Sequence, residues 1–183
     1  MIIIVTGIMR SGTSLIAKQL HDLGVPMGDQ MRFPIPGEGG QLDWEDVKFT
    51  DRCLATIKGE QDIGTLHSFF QDYSCRRGED YQVWGVKSPF LLPYVDLFKR
   101  MTNDQVKVIL TTRNVEAAYK SLERQVGTRE RELGYTGILT QVKRVQDVLR
   151  DCEIDPDLVI DITESWTSPE TVRDKLKELA WES

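Results

Sequence analysis

Four apolar residues, Ile2-Ile3-Ile4-Val5, run almost directly into Gly7-Ile8-Met9-Arg10-Ser11-Gly12-Thr13-Ser14. A short apolar run bounded by glycine reads as a strand covered on both faces, as in a parallel sheet. The glycines and the Thr-Ser pair that follows turn the chain from that strand into a helix. A turn of this kind aims backbone N–H groups and the positive end of the helix dipole at one point, which suits an anion. The NTPase form of the loop is G-x-x-x-x-G-K-[ST], with a lysine that reaches the β/γ-phosphates. Here Thr13 stands at the lysine position, and the cation, Arg10, comes three residues earlier. The loop can still cradle an anion on its backbone N–H groups but is not built for ordinary ATP chemistry.

A second segment has the same logic. Val106-Lys107-Val108-Ile109-Leu110-Thr111-Thr112-Arg113 reads as a strand ending in an arginine, and Asn114-Val115-Glu116-Ala117-Ala118-Tyr119-Lys120-Ser121 opens a helix. At about 3.6 residues per turn, Ser121 lies two turns along from Asn114. Its hydroxyl then faces the side of the helix start, where Arg113 emerges, so one phosphate can be held by both.

Between and after these motifs, strands alternate with helices. Strands are expected at 2–6, 82–86, 106–111 and 158–162. The first helix carries Ile16, Leu20 and Leu23 on one face and stops at Gly24-Val25-Pro26. Residues 28–42 hold Gly28, Pro34, Pro36, Gly37, Gly39 and Gly40 and read as a loop, long enough to suggest function. A helix is expected over 44–57. In 59–80, Leu66, Phe69, Phe70 and Tyr73 can share a helical face, with a polar turn at Arg76-Arg77-Gly78-Glu79. Pro89 opens a helix covering Leu92, Val95 and Phe98. Residues 124–135 read as a charged connection, and Ile138, Val142, Val145 and Leu149 mark an amphipathic helix. Ser168-Pro169-Glu170 starts the last helix, serine as N-cap and proline at the first position. This alternation implies an α/β domain, a mostly parallel sheet with helices on both faces. Both anion motifs fall at strand carboxyl ends, where such sheets bind ligands.

One domain over residues 1–183 is the expectation for this length. Lys+Arg 23 against Asp+Glu 29 gives a net charge of −6, which argues against a general nucleic-acid binder. Cys53, Cys75 and Cys152 are odd in number and widely spaced, so neither a disulfide framework nor a zinc cluster follows, and a reducing, cytoplasmic setting is expected. The short apolar start leads straight into the glycine loop and does not read as a signal peptide. No segment approaches the roughly 20 apolar residues of a membrane span.

A cation before Ser-Gly-Thr-Ser, joined to a strand-end arginine with serine eight residues on, resembles the sulfotransferases that use PAPS (3′-phosphoadenosine 5′-phosphosulfate). The resemblance implies a P-loop NTPase-like sulfotransferase core. It implies a 5′-phosphosulfate loop made of Arg10, Ser11, Gly12, Thr13 and Ser14, and a 3′-phosphate site made of Arg113 and Ser121. Three further segments extend it across residues 2–180. Gly40 to Phe49 is similar to a Gly-x-x-Glu-Asp/Asn-x-x-Phe stretch of bacterial members. Trp84-Gly85-Val86-Lys87-Ser88-Pro89 resembles their Lys-x-Pro element, and Asp161 to Pro169 their late strand and proline-started helix. The chain departs from the family in being short and in lacking the Gly-rich, lysine-containing loop near the C-terminus of cytosolic members.

Sulfuryl transfer builds charge on the bridging oxygen of the departing phosphate, so cations and N–H donors aimed there help most. Arg10, the N–H groups of Ser11 to Ser14, and Lys87 fit that role. An acceptor hydroxyl also needs a base within hydrogen-bond reach. The resemblance makes Glu45 the first candidate, with Asp43, Asp46 and His67 as alternatives. The expected cofactor is PAPS, leaving as PAP (adenosine 3′,5′-bisphosphate). The expected acceptor is a small molecule or carbohydrate. NTPases hold Mg²⁺ with the loop Ser/Thr and an acid at a strand end. The strands at 82–86 and 106–111 end in no acid, so no metal is implied. Two other readings stay open: a small nucleotide or metabolite kinase of the same fold, and a non-catalytic nucleotide-binding module.

Overall fold

The computed structural model describes residues 1–8, 10–28, 44–114, 116–118, 154–162 and 169–181. Strand β1 (Ile2–Gly7) leads through the glycine loop to α1 (Thr13–Asp22). Then follow α2 (Val47–Ile57), α3 (Ile63–Asp80) and β2 (Trp84–Lys87). A 3₁₀ turn (Pro89–Tyr94) runs into α4 (Val95–Met101), then β3 (Val106–Thr112). Strand β4 (Leu158–Asp161) and helix α5 (Pro169–Trp181) complete the described elements. The sheet has the order β2-β1-β3-β4 and every pairing is parallel. This is the expected α/β class.

The apolar run of β1 explains its central place. Successive side chains of a strand point to opposite faces, and here both faces are covered. Ile2 and Ile4 join Phe49, Leu66, Phe70, Tyr73, Trp84 and Phe98, supplied by α2, α3, β2 and α4. Ile3 and Val5 join Ile16, Leu20, Ile109, Val172 and Leu176, supplied by α1, β3 and α5. Full burial of one such side chain stabilises the fold by about 1.5–3 kcal/mol relative to exposure. A polar residue anywhere in residues 2–5 would therefore face a core, whichever way it pointed.

Three expectations are corrected. No turn interrupts Arg76-Arg77-Gly78-Glu79: α3 runs unbroken to Asp80. Gly78 costs a helix about 1 kcal/mol relative to alanine, but tertiary contacts outweigh that. Arg77 is buried, its guanidinium lies 4.6 Å from the Tyr81 ring centre and 5.4 Å from that of Trp84, and it donates to the Pro26 carbonyl at 2.8 Å. The helix expected from residue 44 starts at Val47, because the Asp46 side chain accepts from the Phe49 N–H at 3.0 Å and caps it. Pro89 opens a 3₁₀ turn before the α-helix begins at Val95. Strand bounds also shift: β2 starts at Trp84 and reaches Lys87, and β3 reaches Thr112. Most of the loop expected at 28–42, the charged connection at 124–135, the helix through Ile138 and Leu149, and Ser168 lie outside the described residues.

Candidate functional site

Strand β2 lies on one side of β1 and β3 on the other. The order therefore reverses between β1 and β3, and the crevice at their carboxyl ends is where parallel α/β sheets take ligands. Gly7 leaves β1 at that end, and Arg113 leaves β3 beside it.

The loop is shaped by two glycines. Gly7 has φ 151° and pairs in register with Thr111. A Cβ there would overlap the Thr111 carbonyl oxygen and sit 2.9 Å from the Ser11 hydroxyl. Gly12 has φ 87° and stands at the N-cap of α1, where a Cβ would overlap the tip of Ile162. Arg10 adopts φ 66°, a left-handed conformation rare for a residue with a side chain. Such strain concentrates at ligand-binding turns, where the surrounding structure holds it in place. The N–H groups of Gly12 and Thr13, at the start of α1, have no acceptor among the described residues.

Ser11 plays a different part from the one expected. Its N–H donates to the Ile8 carbonyl at 3.2 Å, and its hydroxyl lies 2.6 Å from the same oxygen and 2.6 Å from the Thr111 hydroxyl. Both donors are committed inside the loop. Ser11 braces the loop from beneath, and its N–H is turned to the Ile8 carbonyl.

The two anion motifs meet. Arg113 donates through NH1 to the Arg10 carbonyl at 3.1 Å, while its Nε is buried with no partner among the described residues. Asn114 caps the turn that follows, its side chain accepting from the N–H groups of Glu116 at 2.9 Å and Ala117 at 3.3 Å. A helix therefore does open directly after Arg113. Ser121 lies outside the described residues.

Lys87 and Glu45 are also brought together. Lys87 ends β2, opposite Val5 of β1. Its Nζ donates to Glu45 Oε1 at 2.6 Å, with side chains only 3% and 12% exposed. Glu45 sits in a stretch whose neighbours are anchored on either side. Trp44, at φ 53°, packs its ring against His21 of α1 with centres 4.7 Å apart. Asp46 caps α2 and accepts from the Tyr73 hydroxyl at 3.0 Å. Asp46 is buried, and both of these bonds are to groups of the fold itself. His67 is half-buried on α3, and its side chain makes no hydrogen bond with a described residue. Asp43 lies outside the described residues.

Reading the sequence missed the hydroxyls beneath the loop. Thr111 bridges Ser11 and the Thr6 carbonyl, Thr6 donates to the Ser88 carbonyl at 3.0 Å, and Thr50 to the Ser88 hydroxyl at 3.2 Å. The available signal was a threonine breaking the apolar pattern at the end of β3. No His, Cys, Asp or Glu cluster able to hold a metal occurs among the described residues, and no described helix is long and apolar enough to cross a membrane.

Comparison with known proteins places the fold. The chain is similar to the unliganded structure of a sugar kinase from Janibacter sp. HTCC2649, with TM-score 0.57 and 14% identity over 96% of this chain and 91% of that one. It is also similar to an uncharacterized protein from Eubacterium ventriosum ATCC 27560, with TM-score 0.53 and 14% identity over 100% of this chain and 99% of that one. No protein-family model matches the chain, and neither does any curated protein. The likeness to these solved structures shows the fold alone, an α/β fold built on a parallel sheet.

Proposed function

We propose that the chain is a transferase that moves a sulfuryl group from PAPS to a hydroxyl or amine of a small-molecule or carbohydrate acceptor. The observation that carries this reading is the Arg113–Arg10 contact. It joins a strand-end arginine, whose buried Nε has no partner among the described residues, to an anion loop whose own sequence lacks the NTPase lysine. A buried donor left without a partner costs about 1–3 kcal/mol, a cost that a ligand acceptor in this crevice would offset. PAPS, when bound, supplies the sulfuryl group and leaves as PAP. The N–H groups of Gly12 and Thr13 and the Arg10 side chain would hold the 5′-phosphosulfate, and Arg113 with Ser121 the 3′-phosphate. Lys87 would offset charge on the leaving phosphate. Glu45, held by Lys87 through Oε1, would accept the acceptor's proton on its other oxygen.

A second reading has its own support. The sugar kinase of the same fold favours a small kinase that phosphorylates a metabolite. Against it stand Thr13 in place of the lysine and the lack of an acid at the ends of β2 and β3. The two separate in one assay series. Sulfuryl transfer releases PAP from PAPS and survives EDTA. A kinase consumes ATP and needs Mg²⁺. In thermal-shift measurements a ligand at about 100 times its Kd adds roughly 2.7 kcal/mol. PAP should do so and ADP should not. The reverse order, with Mg²⁺-dependent ATP use, would establish the kinase reading. PAP binding without turnover on any acceptor would leave a binding module.

A further inference from the structure

Two hydroxyl protons serve three contacts beneath the glycine loop. Ser11 Oγ lies 2.6 Å from the Ile8 carbonyl, Ser11 Oγ and Thr111 Oγ1 lie 2.6 Å apart, and Thr111 Oγ1 lies 3.3 Å from the Thr6 carbonyl. Each hydroxyl has one proton to give. A carbonyl cannot donate, so the short Ser11–Ile8 contact takes the Ser11 proton. The short contact between the hydroxyls then takes the Thr111 proton. The direction is fixed: Thr111 donates to Ser11, and Ser11 donates to Ile8. The longer approach of Thr111 Oγ1 to the Thr6 carbonyl, at 3.3 Å, is then left without a proton of its own.

We propose that Thr111 is a positioning residue that sets the anion loop, by orienting the Ser11 hydroxyl to hold the Ile8 carbonyl turned into the loop's interior. The Ile8 oxygen already accepts from the Ser11 N–H at 3.2 Å. With the hydroxyl as second donor, both its lone-pair directions are used. A carbonyl oxygen released from this pair is free to rotate toward the space above the loop, where its partial negative charge opposes an anion. Space reinforces the arrangement. Thr111 is 1% exposed, Ser11 is fully buried, and Gly7 packs so closely on Thr111 that even a Cβ there would collide with it. Valine at 111 keeps the shape and removes the donor. Serine keeps the donor.

The proposal rests on the reading of this loop as a phosphate cradle, and the test separates the two. Calorimetry on the whole chain would compare PAP with adenosine 3′-monophosphate, and ADP with adenosine, for the unaltered protein and for Thr111→Val, Thr111→Ser and Ser11→Ala. Losing an oriented donor is expected to weaken 5′-phosphate ligands by about tenfold to a hundredfold. The ligands without a 5′-phosphate should be unchanged. Thr111→Ser should restore the loss, and Ser11→Ala should reproduce it if Thr111→Val folds poorly. A general loss of structure would weaken both kinds of ligand alike and would overturn the proposal. Equal PAP affinity in Thr111→Val and the unaltered protein would overturn it while leaving the cradle intact. If the unaltered protein gains nothing from a 5′-phosphate on either nucleoside, the cradle reading falls and the proposal with it.

Discussion

Arg113 NH1 reaches the carbonyl oxygen of Arg10 at 3.1 Å, tying the end of β3 to the loop that leaves β1. The contact uses a backbone acceptor, so it leaves the charge of Arg113 uncancelled by that partner. It also grips the loop at the residue held at φ 66°. Arg113 thus stands where it stabilises the strained turn.

Arg113→Ala is expected to lower PAP affinity by about 1.5–3 kcal/mol, the range for a hydrogen bond to a charged group. Arg113→Lys should recover only part, because an ammonium cannot both reach the Arg10 carbonyl and keep a fork for a phosphate. Titration calorimetry with PAP, AMP and ADP reads this. An Arg113→Ala variant that still prefers PAP over ADP would remove Arg113 from the 3′-phosphate.

The two loop glycines should not be equally sensitive. Alanine at Gly7 meets the Thr111 carbonyl, which the sheet holds rigidly. Alanine at Gly12 meets the end of the Ile162 side chain, which can rotate, plus the left-handed φ cost of about 1–2 kcal/mol. Gly7→Ala should therefore lower Tm more than Gly12→Ala does. Ile162→Val, by shortening the opposing tip, should recover part of the Gly12→Ala loss. Equal losses, or no recovery, would contradict the packing described.

Asp62 gives a pH-dependent prediction. It caps α3, accepting from the Thr65 hydroxyl at 2.7 Å and from the Thr65 N–H at 2.9 Å. These bonds, the hydroxyl's first, favour the ionised form and lower its pKa below the ordinary value of 3.8. A carboxylate whose folded pKa is depressed adds stability above its unfolded pKa and loses it as pH falls through the folded value. The Tm gap between the unaltered protein and Asp62→Ala should be steady from neutral pH to about pH 5 and shrink below pH 3.8. A gap independent of pH would mean the cap does not depend on charge.

What the sequence revealed follows the reach of each interaction. Gly7 and Gly12 were readable because a required backbone conformation and a lack of space leave no other residue type. The double-sided burial of β1 was readable in four consecutive apolar residues. The convergence of Arg10 and Arg113 was reachable because each sits at the carboxyl end of its own strand, and parallel strands bring those ends together. The Glu45–Lys87 pair was only half visible. Resemblance placed both at the site, but two residues 42 positions apart carry no local sign of facing each other. Thr111 was invisible because its role depends on β3 lying beside β1, and Ser11 is 100 residues away. Arg77 misled for a related reason. Its charge suggests a turn, while its burial depends on rings at Tyr81 and Trp84 that only the folded chain assembles.

The Lys87–Glu45 pair separates two roles that a single substitution confuses. Removing one member of a buried ion pair leaves the other charge stranded and costs about 3–5 kcal/mol. Glu45→Gln and Lys87→Met should each destabilise the fold. The double variant should recover part of the sum, and an additive result would show that the pair is not coupled. Activity then decides what Glu45 does. A base lost in Glu45→Gln should lower turnover by about 10²–10⁴ with PAP affinity nearly unchanged. A carboxylate that only holds Lys87 in place should lower PAP affinity and turnover together, and Glu45→Asp should rescue neither if the shorter side chain cannot reach Nζ. Near-normal turnover in Glu45→Gln would dismiss Glu45 as the base. With Asp46 committed to its cap and to Tyr73, attention would pass to Asp43 and His67.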